Sequence, residues 1–457
     1  MPEREVVMAD LWKRTISRRD LLAGAASVGL GAVAASCALP GATSNKPASG
    51  GPKKLSILQW SHFIPAYDTW IDGFVKDWGQ KNGVDATIDH ISTDDLPARM
   101  AAEVAAKGGH DLVEMNGQIL TYLYEKQLLD MGDVVDYAQK KYGTIEPYGK
   151  QLAYVNGKWV GWPNFYISIS PQIRTDLFQK YGFDPNQVKT WQDYLAVGTA
   201  GKKDGHAAGL AISHCNDANH NWRAIMWAFG ASEVKADGKT PNVDTTEMRD
   251  FLTFAQQFYT QANTPDVFAW DNASDNRWLG SGAGVYIHDA ISSMRSVQNT
   301  NPDLYSKLNL RGPIAGPTFP KGVSMPDANV YVIWNFSRNQ DTAKEFLKYY
   351  IDNWMVAFQN SQVYNQPMYA NLYDKPIFSD KSLGGQYADA QFEVLQHYRG
   401  DLVRTFGYPG QPNYAATQVL ANFVIPDMVA TAVKQPGKAG IDAAIQFAKD
   451  KLKLYYV

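Results

Sequence analysis

The feature that most restricts the fold is a regular change of hydrophobic period that begins at Leu55. Residues 55–60 (LSILQW) form a short apolar run, residues 65–80 (PAYDTWIDGFVKDWGQ) repeat apolar side chains at helical spacing, and residues 84–91 (VDATIDHI) alternate. Strand, helix and strand in that order make a β-α-β unit. A helix over 96–107, a strand over 111–115 and a helix over 119–129 continue the pattern. The alternation predicts an α/β fold with a parallel-rich sheet and helices on both faces. Ligands of such sheets bind beyond the carboxyl ends of the strands, in loops that begin here at Ser61, Ser92 and Asn116.

Further along, Asn156-Gly157 is a two-residue turn signal inside a hairpin over 152–162. Residues 166–170 read as a strand leading into a helix that opens at Pro171. Thr190 and Asp193 make a capping box that starts another helix. Met248, Phe251, Leu252, Ala255, Phe258 and Tyr259 lie on one helical face, as do Ile441, Ala444, Ile445, Ala448 and Leu452; these faces are core. At 457 residues the chain is about three times a typical domain length, which calls for more than one lobe.

Charge removes one class of partner. The formal net charge is -3 and no Lys/Arg block appears, so a phosphate backbone has no electrostatic footprint to meet and nucleic acid is excluded as a partner. At the N-terminus, Arg18-Arg19 precede an uncharged Gly/Ala-rich run from Leu21 to Ser36, too short for the roughly 20 residues of a bilayer span. This leader (1–36) resembles a twin-arginine export signal of the bacterial lipoprotein type. That resemblance implies acylation of Cys37, the alternative being an ordinary cleavable signal with an incidental cysteine. Residues 37–54, rich in Gly, Pro, Ala and Ser, read as a flexible tether. The expected product is an exported protein, lipid-anchored on the outer face of the cytoplasmic membrane or in the periplasm. Cys215 is the only other cysteine, so a lipidated Cys37 leaves no intramolecular disulfide.

Spacings that force chemistry are missing. The sequence contains no G-x-S-x-G, no G-x-x-x-x-G-K-[ST], no H-E-x-x-H and no paired C-x-x-C. In Gly280-Ser281-Gly282-Ala283-Gly284 the apolar strand follows the glycines, so the stretch reads as a turn and not a cofactor loop. His206, His214, Cys215 and His220 are too irregularly spaced for a closed metal site, and Cys215 reads as an inert thiol. No catalytic residue, metal or cofactor is expected.

Aromatics are abundant, with 13 Trp, 25 Tyr and 19 Phe. A pyranose presents a flat C–H face to an aromatic ring and a rim of hydroxyls that donate and accept, so its site interleaves rings with polar side chains. Trp60-Ser61-His62-Phe63, Trp162-Pro163-Asn164-Phe165-Tyr166, His214-Cys215-Asn216-Asp217, Asn221-Trp222, Tyr286-Ile287-His288-Asp289 and Asn413-Tyr414 show that interleaving at expected loops or hinges. Core packing is the competing reading for each ring. Trp78, Trp191, Trp278 and Trp354, on expected helices, are assigned to core.

Several segments in order resemble the family 1 extracellular solute-binding proteins, the sugar receptors of ABC importers related to the maltose-binding proteins. They are the leader, the stretch from Gly83 to Asp111-Leu112-Val113, Thr190 to Leu195, and the Trp278-to-Gly282 turn before residues 284–288. Val330 to Trp334 running into Ser337-Arg338-Asn339, the helix from Thr342 to Tyr350 and the last helix after Gly440 complete the set. The resemblance implies a two-lobed periplasmic-binding-protein fold (type II-like) with a hinge crossed three times, near 164–168, 286–290 and 335–339. It implies an N-terminal lobe of 54–165 plus 288–335 and a C-terminal lobe of 166–287 plus 336–457. The ligand residues it implies, together with the interleaved rings, are Trp60, His62, Phe63, Asn116, Trp162, Asn164, Tyr166, His214, Asn216, Trp222, Tyr286, His288, Asp289 and Tyr414. Met115 stands where some relatives carry a Trp. The implied function is capture of a mono- or oligosaccharide by hinge closure, without chemistry, by a monomer that delivers it to ABC permease subunits in the membrane. The alternatives are another solute (glycerol phosphate, a polyol or a peptide), a secreted carbohydrate-active enzyme and a purely structural lipoprotein; few Arg or Lys in the expected loops favour a neutral ligand.

Overall fold

The computed structural model describes residues 53–117 and 119–456. The leader, Cys37 and nearly all of the tether lie outside the described residues.

The strands are β1 (Lys53–Trp60), β2 (Val84–Ile91), β3 (Leu112–Asn116), β4 (Tyr154–Val155), β5 (Lys158–Trp159), β6 (Trp162–Ile167), β7 (Ser170–Arg174), β8 (Tyr286–Asp289), β9 (Leu308–Leu310), β10 (Asp327–Ile333) and β11 (Gln366–Pro367). Six of them form one sheet in the order β11-β6-β10-β3-β1-β2, three form a second, β8-β7-β9, and β4-β5 is a separate hairpin. Each sheet centres one lobe.

Local rules account for the opening elements. The helix Pro65–Asn82 starts at proline, whose missing N–H costs nothing in a first turn, and ends at Gly83 in the left-handed region (φ 64). Tyr67, Ile71, Val75 and Trp78 recur on its buried face. Thr190 and Asp193 form the expected capping box: Thr190 Oγ1 accepts from the Asp193 N–H at 3.2 Å and Asp193 Oδ2 accepts from the Thr190 N–H at 2.8 Å. Asn156 and Gly157 both take positive φ in the β4-β5 turn.

Three expectations are corrected. The larger sheet is mixed: β1 runs parallel to β2 and β3, but β10 is antiparallel to β3 and β6, and β11 to β6. It is mixed because β10 returns from the other lobe and enters from the opposite end. Residues 119–129 hold only one 3-10 turn, Glu125–Gln127, in place of the expected α-helix; Leu128 bridges Trp334 and the Leu129 N–H donates to Ile333 O, so pairing with the sheet overrides the local pattern. Pro171 opens no helix, since residues 170–174 are β7, and the helix follows at Thr175–Lys180.

The lobe boundaries also shift. The chain leaves the larger sheet between Ile167 and Ser170. Both β8 and β9 hydrogen-bond to β7, so the return falls after Leu310 and not near 286–290. The third passage comes after 335–339 as well. The helix Gln340–Asp352 lies on the first lobe, where the Phe346 and Trp78 rings sit 5.3 Å apart and Tyr350 Oη meets Tyr67 Oη at 2.7 Å. Tyr369 still bridges Ile145, whereas Gln391 Nε2 already donates to Tyr305 Oη on the other lobe. The last helices, Val424–Lys434 and Lys438–Leu452, pack on the helix Thr246–Gln261 of the second lobe. Among the described residues, no single helix is long and apolar enough to cross a membrane.

Candidate functional site

Six stretches of chain converge where the lobes face each other. Phe63 follows β1, Thr93 follows β2 and Asn116 ends β3, as the rule for strand carboxyl ends requires. Opposite them, Asn216 and Asp217 open the helix Asn216–Ala228, Asn272 precedes the helix Ser274–Gly280, and Asp289 ends β8. Ile169 from the first passage, Ala290, Asp327 and Tyr364 complete the lining. The cavity they enclose is only about 10 Å³, and a mouth of about 230 Å³ opens between Ser61, Ser92, Asp94 and Asp271.

The faces are shut against one another. Asn272 Nδ2 donates across the gap to Asp94 Oδ1 at 2.7 Å and to Thr93 Oγ1 at 3.3 Å. Asn272 Oδ1 in turn accepts from the Asn216 N–H at 2.7 Å, so one side chain ties the helix start to both faces. Asn216 lies so close to Gly117 that a side-chain carbon on Gly117 would fall 2.0 Å from Asn216 Nδ2.

The second-lobe wall is acidic. Asp217, Asp275 and Asp289 each place a carboxylate oxygen within 4.8 Å of the other two, and all are buried. Burial first, and then mutual repulsion with Asp275 and Asp289, pushes the Asp217 carboxyl well above the usual range; burial and Asp275 do the same to Asp289. Burial raises Asp275 to about 7 and Asp327 to about 7. Cys215, next to this wall in sequence, is a buried free thiol raised to about 11 by burial, the opposite of an activated nucleophile.

Of the side chains expected to bind ligand, Phe63, Asn116, Asn216 and Asp289 line this cavity. Most of the rings do not. Trp60 is buried and stacks on His62 at 4.6 Å, while His62 Nε2 bonds to Asn365 Oδ1 at 3.0 Å. Trp162 Nε1 donates to Tyr369 Oη at 2.6 Å, and Asn164 Nδ2 donates to Glu114 Oε1 at 3.2 Å. Tyr286 Oη donates to the Tyr194 carbonyl at 2.8 Å, and His288 Nδ1 bonds to Asn221 Oδ1 at 2.6 Å. These groups are consumed by the cores of the two lobes. His214 lies outside the cavity, stacked on Phe423 and bonded to Asp427 Oδ1 at 2.7 Å, and Tyr414 is 55% exposed at the start of the helix Tyr414–Ala421. Tyr166 borders a different cavity, of about 310 Å³, with Tyr148, Tyr398, Arg399 and Tyr408.

Trp222 is the clearest reassignment. It is fully buried, donates Nε1–H to the Ala211 carbonyl at 2.8 Å and packs on Phe251 and Phe258. Trp222→Phe is expected to cost about 1–2 kcal/mol through the lost hydrogen bond and lost volume. Urea unfolding should register that loss while calorimetric affinity for the solute stays unchanged; a weakened affinity at full stability would return Trp222 to the site.

Thr93, Asp217, Asn272, Asp275, Asp327 and Tyr364 were absent from the expected set. Asp217 stood beside Asn216 in a motif already singled out, and Thr93 in a loop already placed beyond a strand end. For Asn272, Asp275, Asp327 and Tyr364 no local pattern marks the site.

Residues 73–359 match the family model of the bacterial extracellular solute-binding proteins. None of the curated proteins compared matches the chain. Among solved structures, T. maritima MalE3 with bound maltose is similar at 17% identity and a TM-score of 0.72, covering 88% of this chain and 99% of that one. A sugar transporter from Arthrobacter chlorophenolicus A6 with bound laminaribiose is similar at 17% identity and a TM-score of 0.73, over 89% and 99%. A solute-binding protein from Thermotoga lettingae TMO bound to α-D-tagatose gives 16%, 0.70, 88% and 100%. At these identities the likeness is one of fold, two lobes about a cleft.

Proposed function

The chain belongs to the bacterial extracellular solute-binding proteins, and on that premise we propose that it captures a mono- or oligosaccharide between its lobes and delivers it to an ABC permease. The observation that carries this reading is the convergence of Thr93, Asn116, Asn216, Asp217, Asn272 and Asp289 from both lobes on one cavity. Hydroxyl, amide and carboxyl groups in one place can donate to and accept from a ring of hydroxyls. The structures with bound maltose, laminaribiose and tagatose share the fold in which this cavity lies.

Closure supplies the mechanism. A solute that touches both faces makes its full set of contacts only when they meet, so it shifts an open-closed equilibrium by its differential affinity. The three passages between the sheets, at 167–170, 310–327 and 369–391, would form the hinge. Export by the twin-arginine leader, acylation at Cys37 and action as a monomer on a tether belong to the same proposal, and no bond is broken in the cycle.

A thermal-shift screen against mono- and oligosaccharides, followed by calorimetry, tests it. At a hundred times the dissociation constant the matching sugar is expected to stabilise the fold by about 2.7 kcal/mol, and X-ray scattering should show compaction on binding. No response to any sugar sinks the reading, and accumulation of a cleaved glycan would turn it into an enzyme.

A further inference from the structure

The cleft gathers carboxyl groups, and the one cation beside it, Arg277, pairs with Asp271 at 2.7 Å and leaves the others without a salt bridge among the described residues. Asp217, Asp275, Asp289 and Asp327 come from four separate segments yet meet at or beside one cavity. The mouth adds Asp94, which accepts from Asn272 Nδ2, beside the Arg277-paired Asp271. Among the described residues, neither the cavity nor its mouth is lined by a lysine or arginine. The interior of the same lobe behaves differently: Arg223 and Glu233, both fully buried, pair at 3.2 Å. That buried carboxylate has a cation against it, whereas Asp217, Asp289 and Asp327 have no salt bridge among the described residues.

A second observation is independent of the clustering. Asp217 is more than nine-tenths buried, borders the cavity and leaves Oδ2 without a hydrogen-bond partner. Leaving a buried acceptor unmade costs about 1–3 kcal/mol, more when it is charged. Neighbouring carboxylates, being acceptors themselves when ionised, cannot satisfy it, and their burial favours the protonated forms, a preference that a bound cation would reverse. A donor or a positive charge from outside the chain can.

We propose that the solute is held here through a cation seated on Asp217, Asp275 and Asp289, either an ammonium group of the sugar itself or a divalent metal ion bridging its hydroxyls to the protein. The inference rests on the sugar-cleft reading and narrows its ligand class. An ammonium carries three donors around one nitrogen, and three carboxylate oxygens within 4.8 Å of each other offer it one acceptor apiece. A hard cation such as Ca²⁺ takes oxygen ligands at about 2.3–2.6 Å and fits the same spacing. The field of this wall opposes an anionic solute such as glycerol phosphate.

Chelator-treated protein is titrated with three matched pairs, glucosamine and glucose, galactosamine and galactose, mannosamine and mannose, and with CaCl₂ alone and together with each neutral sugar. If the ammonium is the cation, one amine binds at least tenfold tighter than its hydroxyl partner. If the metal is, CaCl₂ alone raises the melting temperature and a neutral sugar binds only in its presence. In either case D217N, D275N and D289N each weaken binding at least tenfold. The same substitutions remove repulsion from a buried cluster, so each variant should melt above the wild type without ligand, which separates lost binding from lost folding. Equal affinity for an amine and its neutral partner without metal, undiminished in the Asn variants, overturns the inference and leaves the sugar reading intact. Silence from every sugar, amine and ion overturns both.

Discussion

Gly117→Val is expected to leave the protein folded and to weaken solute binding about tenfold. Gly117 follows β3 on the first lobe with φ +71, and its N–H donates to the Ala328 carbonyl at 3.3 Å. Across the cleft stands Asn216, whose backbone is held by Asn272. A side-chain carbon at position 117 would lie 2.0 Å from Asn216 Nδ2 and 2.7 Å from its Cγ, so the Asn216 amide must turn aside before the faces can meet. The left-handed backbone costs a β-branched residue about 1–2 kcal/mol whether the cleft is open or shut, and that part appears as lost stability. The steric part is paid only on closure. A closed state raised by about 1.4 kcal/mol, as the displaced Asn216 amide gives up its place at the cavity, lowers affinity about tenfold. Calorimetry with the sugar identified in the screen, together with scattering of the unliganded variant, checks the result; wild-type affinity and an unchanged scattering curve would mean that these faces do not meet on binding.

Position 117 was not visible as a gate in the sequence, and the reason is general. The sequence reports what is local. The helix after β1, the Thr190–Asp193 cap and the Asn156-Gly157 turn each depend on residues a few positions apart, and each stands where the pattern puts it. The segment 119–129 defeated the same logic because its partner, Trp334, lies some two hundred residues away.

The site suffered twice from that limit. A tryptophan that packs a core and one that plates a sugar are the same residue in a string, and here Trp60, Trp162 and Trp222 went to the core because both lobes are large enough to bury them. The acidic wall was invisible for the opposite reason: Asp217, Asp275, Asp289 and Asp327 are spread over more than a hundred residues and share no period. What sequence did locate was the set of strand ends, so of the expected residues that line the cavity, Phe63, Asn116 and Asp289 lie at or just beyond one, and Asn216 opens a helix.

Glu114→Gln is expected to remove a steep loss of stability between about pH 4.5 and 8. Glu114 lies on β3, fully buried under the first lobe, where Asn164 Nδ2 donates to Oε1 and Oε2 has no partner. Tyr67, Tyr331 and Tyr350 surround it, and Tyr331 Oη donates instead to Gln59 Oε1 at 3.1 Å. Burial, with Asp68 adding to it, raises the carboxyl from 4.5 to about 8 against the opposing bond from Asn164. A folded-state value above the unfolded one means that the neutral form fits the fold. Its stabilisation is complete below pH 4.5 and is lost as the pH rises through 8, because the unfolded chain releases the proton and the folded chain holds it. At about 1.4 kcal/mol per unit, the window corresponds to up to about 5 kcal/mol. Glutamine keeps the shape and cannot ionise. The cleft aspartates shift in the same direction, so the wild type alone cannot isolate the effect; the difference between wild type and variant can. Urea unfolding at pH 4.5 and pH 8.5 should show the variant gaining several kcal/mol on the wild type at the higher pH, and parallel pH profiles for the two proteins would mean that Glu114 ionises freely in the folded state.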